Sequence, residues 1–350
     1  MINLATRCGQ LELGAKNTKT NGATMGRCLR TRLFALALSI LCVPMALAQS
    51  FPAKPLKIIV TLAAGAQTDR LARALAQEIS QSVGQPVVVE NKPGAGSIIG
   101  MLALAKSPPD GHTVVITTAE PLIYNPLLYK RLPYDADNDF SYVTQLTRNL
   151  GVIVANRDVP GNTFPEVIAY ARANPGKLNW ATWGPGSTPA IYLEWIKKQN
   201  GVDIAAIPYK GTAPTLPAIL SGEIGLTYLA IGTAAPLVQS GKLKPLAITG
   251  ANNSAVLPNV RSLSEYKSDP YLTSEFHVYA PAKTPNATLE RLSTEFSKAL
   301  RTPLLEKLMA NTMLPVGSSP AEFGASLKTK KVEAAKLFQA LQIRPADAPQ

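Results

Sequence analysis

The chain is poor in the residues on which most enzyme and metal chemistry is built. Its 350 residues contain three cysteines and two histidines. Cys8, Cys28 and Cys42 all lie before residue 50, so the rest of the chain has no thiol. A disulfide framework, a thiolate metal site and a cysteine nucleophile are thereby excluded from it. His112 and His277 stand too far apart for metal-ligand spacing, neither belongs to a nucleophile-and-base pattern, and no G-x-S-x-G elbow occurs. Charged residues make up only 17% and aromatics 6%. With no arginine-rich run and no aromatic–basic interleaving, nucleic acid is not an expected partner. There is no G-X-Y period and no short repeat, so collagen and solenoid architectures are out. What is present is 46% hydrophobic residues, enough to exclude disorder as the main state. The length suits two cores better than one.

The first segment reads as an export leader. Arg27, Arg30 and Arg32 precede an apolar stretch from Leu33 to Val43, and Ala46-Leu47-Ala48 supplies small residues at a cleavage site. The apolar run is too short to span a bilayer comfortably. Cleavage is expected after Ala48, with residues 1–24 an upstream extension and Met25 an alternative start. A lipoprotein signal at Cys42 is disfavoured because Leu41 stands where a small residue is needed. Removing the leader takes away six of 35 basic residues and one of 23 acidic ones, which lowers the formal charge from +12 to +7. That surplus favours small anions and is ordinary for an exported protein.

Strand and helix signals then alternate. Leu56 to Thr61 is a β-branched run, and Asp69 to Val83 has helical spacing, with Leu71, Leu75 and Ile79 on one face and Gly84 to end it. Pro86 to Glu90 and Thr113 to Thr118 are further strands. A second series begins at Gly151 and runs through strands at 178–182, 204–207, 225–230 and 246–249. Its helices lie at 188–200 and 233–240, with another after the loop 209–212 that ends near Gly222. Thr163 and Glu166 match a capping box. After Pro270 one strand (276–280) precedes mostly helix, at 286–300, 303–311 and 320–341. Repeated βα units imply parallel-rich sheets covered by helices, in two lobes with the C-terminal helices packed back on the first.

Candidate chemistry is sparse. The turn Gly94 to Gly100 follows a strand and opens a helix, but Ile99 stands where a dinucleotide fingerprint needs its last glycine. No strand ending in an acid follows at the right distance. Glycines placed for a tight turn and close packing are the simpler account. The alternative function, an exported or cytosolic nucleotide-dependent enzyme, would rest on this turn. Ser187 lies in a glycine loop without a partner base. His112 reads as the start of a strand and His277 as a half-buried strand residue. More informative are three loops that each end a strand and open a helix: Ala64-Gly65-Ala66-Gln67-Thr68, Gly184 to Thr188, and Gly211 to Ala213. Small residues let main-chain N–H groups approach an anion, and a helix start carries partial positive charge. Such loops facing one cleft would suit a carboxylate and need no catalytic base.

Several longer segments then carry a family resemblance: FPAKPLKIIV (51–60), GQPVVVENKPGAG (84–96), PDGHT (109–113), NPLLY (125–129), PYKG (208–211), SGKLKPLA (240–247), APAKTP (280–285) and PAEF (320–323). In this order they resemble the tripartite tricarboxylate transporter receptors, or Bug receptors, over essentially the whole chain after the leader. The resemblance implies an α/β, two-lobed clamshell like those of periplasmic binding proteins, with lobe 1 formed by residues 51–150 plus 275–350 and lobe 2 by 151–274. It implies a periplasmic, monomeric receptor for a small organic acid, without cofactor or metal, whose partners are membrane transporter subunits or a sensor. The ligand-binding set it implies is Ala64, Gly65, Ala66, Gln67, Thr68, Asp69, Thr118, Trp183, Ser187, Thr188 and Tyr209. Ala66 replaces a second family glycine, Trp183 stands where a small residue is usual, and the apolar Leu229-Ala230-Ile231 occupies a stretch that often carries aspartates. Asp69, beside a bound anion, is expected to brace its helix rather than touch the ligand.

Overall fold

The computed structural model describes residues 51–184, 186–249, 254–266, 272, 274–310, 312–343 and 345, so the expected leader (1–48) lies outside the described residues. The first series runs β1 (Leu56–Val60), α1 (Gln67–Val83), β2 (Val87–Asn91), α2 (Ile98–Ala105), β3 (Thr113–Thr118), α3 (Glu120–Ile123), α4 (Asn125–Leu128) and β4 (Phe140–Asn149). The second runs β5 (Gly151–Asn156), α5 (Phe164–Ala173), β6 (Asn179–Thr182), α6 (Thr188–Asn200), β7 (Ala205–Pro208), α7 (Thr212–Ser221), β8 (Leu226–Ala230), α8 (Ile231–Gln239) and β9 (Leu243–Thr249). The last part holds β10 (Ser274–Pro281), α9 (Asn286–Ala299), α10 (Pro303–Met309), β11 (Met313–Pro315) and α11 (Pro320–Leu341).

Two sheets result, in the orders β11-β4-β10-β3-β1-β2 and β7-β6-β8-β5-β9. The protein is thus an α/β two-lobed clamshell. The sheets are mixed, not parallel-rich as the βα pattern suggested. β1 pairs parallel with β2 and β3, and β6 with β7 and β8. β10 pairs antiparallel with β3 and β4, β11 pairs antiparallel with β4, and β5 pairs antiparallel with both β8 and β9. The reason lies in the crossings: β5, entered directly from β4, inserts between β8 and β9, and β10, which follows β9, inserts between β3 and β4, each antiparallel to both neighbours.

Side-chain alternation distributes the core. Ile58 and Val60 of β1 pack with Leu71, Leu75 and Ile79 of α1 and with Leu292 and Phe296 of α9 on one face. Ile59 points to the other, into a cluster that continues through Tyr279, Phe323 and Leu122 to Tyr192, Trp180, Tyr228 and Ile153. Val152, Val154, Ile219 and Leu229 fill the far face of the second sheet. Helix α1 ends as expected, with Gly84 in the left-handed region and its N–H donated to Ser80 O. The box at α5 is half made: Thr163 accepts from the Glu166 N–H, but the Glu166 carboxylate accepts from Asn162. Helix α11 has the complete box, between Ser319 and Glu322.

Strand β10 carries an unusual face. Phe276, Val278 and Ala280 enter the apolar core, while Glu275, His277 and Tyr279 line the opposite side, all 1% exposed or less. His277 is therefore fully buried rather than half-buried. Its Nε2–H donates to Glu275 Oε2 at 3.0 Å, and the Tyr279 hydroxyl, 2.9 Å away, donates to Nδ1. Lys330 of α11 closes the network on Glu275. Burial holds the imidazole neutral, with its pKa below the ordinary value. Burial would also raise Glu275, but the donors from His277 and Lys330 outweigh it and hold the carboxyl at about 2.

Candidate ligand-binding site

The loop between β1 and α1 is braced from below. Gly65, at φ +79°, takes the left-handed turn that glycine permits, and its N–H donates to Asp69 Oδ2 at 2.8 Å. Arg73 grips the same carboxylate with two nitrogens at 3.0 and 3.1 Å, and Asn91 Nδ2 donates to it at 2.9 Å. Burial pushes Asp69 up, but these donors prevail and hold its pKa below the ordinary value. Asp69 braces the helix start, as the sequence suggested. Sequence reasoning missed Arg73 and Asn91. The signal available for Arg73 was its i,i+4 position; Asn91 gave none.

This bracing uses up part of the main chain. The Gly65 N–H is held by Asp69 and that of Ala66 by Ala63 O at 3.2 Å. Ala64 and Gly65 are exposed, while Thr68 and Asp69 are buried. The N–H groups of Gln67, Thr68 and Asp69, the first three of α1, have no acceptor among the described residues. Those three, rather than Ala66, are the donors the loop has to offer an anion.

On the second sheet, the loop after β6 is closed by Ser187. Its hydroxyl accepts the Trp183 N–H at 3.1 Å and donates to Gly184 O at 2.8 Å. Trp183 meets the Tyr228 ring edge-on at 6.3 Å, and Tyr228 stacks on Tyr192 at 5.4 Å. The Trp183 indole N–H is buried without a partner among the described residues. Gly151 has no side chain because a Cβ there would lie 2.2 Å from the Tyr228 ring. The wall carrying Trp183 is therefore built on the glycine where the chain passes between sheets.

Two contacts join these loops. Thr118, at the end of β3, donates its hydroxyl to Glu120 Oε2. Thr188, which opens α6, brings its N–H and its hydroxyl (3.4 Å) to the same carboxylate. Burial pushes the Glu120 pKa up, and the Thr118 and Thr188 donors only partly offset that. No lysine or arginine among the described residues pairs with it. Separately, a Cβ at Gly232, near the start of α8, would lie 3.8 Å from Gln67 Nε2. The structure thus brings Gln67 beside α8 and joins Thr118 to Thr188 through Glu120. Glu120 was missed, although an acid directly after a buried strand, at the end where α/β sheets hold ligands, was a readable signal.

Tyr209 is not brought to this group. Its N–H extends the β6–β7 ladder to Thr182 O at 2.8 Å, but its hydroxyl donates to Glu223 before β8 at 2.7 Å. The Gly94 to Gly100 turn is explained by packing: a Cβ at Gly100 would lie 2.6 Å from Thr61 Cγ2, and Gly96 O accepts from Asn125. Among the described residues, no three His, Cys, Asp or Glu side chains converge as a metal site would.

Two lobes of mixed sheet, with helix starts and glycine loops at the strand ends, are the fold of periplasmic solute-binding proteins. The model of the tripartite tricarboxylate transporter family receptor matches residues 71–334, and the chain belongs to that family, the Bug receptors. It is 31% identical to Protein BugT of Bordetella pertussis, over 78% of this chain and 85% of that one. A Rhodopseudomonas palustris protein solved with adipate superposes with a TM-score of 0.79 at 30% identity, covering 85% of this chain and 100% of the other. MatC from the same organism, with bound malate, gives 0.75 at 25%, covering 82% and 99%. Membership in this receptor family overturns the nucleotide-dependent enzyme as an alternative.

Proposed function

We propose that the protein captures a small organic acid between lobe 1 (51–150 plus 275–350) and lobe 2 (151–274) for a tripartite transporter or a membrane sensor, acting as a periplasmic monomer. The observation that carries this is the braced start of α1. Asp69 has its charge spent on Gly65, Arg73 and Asn91, and three adjacent N–H groups stand free for a carboxylate. Relatives solved with adipate and malate support the ligand class. Thr118, Trp183, Ser187 and Thr188 are the proposed lining from the other loops, with Ala64, Gly65 and Ala66 shaping the turn.

A thermal-shift screen against small carboxylic acids tests the reading. Free acid at about 100 times Kd should stabilise the protein by about 2.7 kcal/mol. That is about 5–11 °C for a chain of this size. The corresponding methyl ester should give much less, and equal shifts from acid and ester would overturn capture by main-chain donors. Export makes a separate expectation: mass spectrometry of protein from the host's periplasm should place the mature N-terminus near Gln49. A soluble chain still beginning at Met1 or Met25 would contradict it.

A further inference from the structure

In a receptor whose ligands are anions, a carboxylate of the chain itself lies on the second-sheet helix start. We infer that Glu120 determines specificity: its side chain occupies the anion position at the start of α6, so the ligand brings a single carboxylate and its far end carries no negative charge. The inference rests on the receptor reading above. Helix α6 begins with Thr188, whose N–H and hydroxyl would be the donors for a ligand, and Pro189 beside it has no N–H to add. Both Thr188 donors already point at Glu120, which arrives from the first sheet with Thr118 as its third donor. A second ligand carboxylate would have to compete for these donors with the Glu120 carboxyl, as a like charge or by forcing a proton onto it. Its alternative is to displace Glu120, which costs a half-buried carboxyl its hydrogen bonds with no cation to replace them. An uncharged chain end meets no such penalty, and the half-buried Trp183 ring, backed edge-on by Tyr228, offers it an apolar wall. Relatives with bound dicarboxylates need not share this limit, because it depends on one side chain of this protein.

Isothermal titration of the purified receptor with hexanoate and adipate tests the inference. The two acids share chain length and one carboxylate, and differ only in charge at the far end. Hexanoate is expected to bind at least about 30-fold more tightly, the discrimination that like charges within about 8 Å produce at an effective dielectric near 20. Glu120→Ala should shift the ratio toward adipate by a similar factor, and Glu120→Gln, which keeps the shape, should shift it the same way by less. If the wild type takes adipate as tightly as hexanoate, or if folded Glu120→Ala and Glu120→Gln leave the ratio unchanged, the inference is wrong and the carboxylate-receptor reading stands. If the wild type and both variants bind neither these acids nor any other carboxylate, that reading falls and takes the inference with it.

Discussion

Glu275→Ala should destabilise the protein by about 3–5 kcal/mol, the loss expected when one partner of a buried ion pair is removed. The substitution would leave the His277 Nε2–H without an acceptor and Lys330 facing a void between β10 and α11. A melting temperature about 6–20 °C lower at pH 7 is the expected readout. The pH dependence gives a second one. Glu275 has a folded pKa near 2 against an ordinary 4.5, so its contribution is fully present above 4.5 and is lost as pH falls toward 2. The shift corresponds to about 3 kcal/mol, the same order as the substitution. His277 acts in the same direction: below about 6.5 the unfolded chain takes a proton that the buried imidazole refuses. Stability should therefore decline from pH 6.5 downward, and Glu275→Gln should flatten the part below 4.5. A wild-type melting temperature constant between pH 6.5 and 3 would contradict the account of this network.

Gly186→Ala should act on binding more than on folding. Gly186 has φ +75°, and a Cβ there would lie 1.7 Å from Leu128 Cδ1 on α4. A left-handed alanine costs about 1–2 kcal/mol, and an overpacked contact about 1–3 kcal/mol more. Moving the loop off Leu128 relieves the contact but also draws Thr188 away from Glu120. With the loops held apart in this way, affinity for the captured acid should fall about 30- to 1,000-fold, the equivalent of about 2–4 kcal/mol. The melting temperature of the ligand-free protein should fall much less than that cost implies. A variant that binds normally would show that the Gly186–Leu128 contact is not part of closing.

The parts of the fold that follow local pattern were legible, and those that depend on distant partners were not. Helices α6 and α11 and strand β3 have the bounds that their spacing and flanking Pro, Gly and Asn residues predict. Strand β4 was not foreseen from FSYVTQLTRN, where polar residues interrupt the apolar pattern. Thr144, Gln145 and Thr147 are nonetheless buried, with Thr144 and Gln145 bonded to Ser318. β11, three residues long, is too short to show a period. At the candidate site the loops were visible as loops, and Asp69 as a helix brace. Which N–H groups remain free was not, because that depends on Ala63 O and on the reach of one carboxylate. Tyr209 stood in a motif, yet its hydroxyl turns to Glu223.

The place of β10 bears on the order in which the chain acquires its shape. Strands β5 to β9 are contiguous in sequence and can pair as soon as they emerge. The first sheet cannot, because β10 lies between β3 and β4, and its residues come out more than a hundred positions after theirs. Until then both strands present open backbone edges flanked by apolar side chains, a template for pairing with another chain. The second lobe should therefore fold early and locally, and the first should depend on late, long-range closure. A chain stalled before Ser274 would hold one finished lobe tethered to an unfinished one, whose open strand edges wait for a segment not yet made.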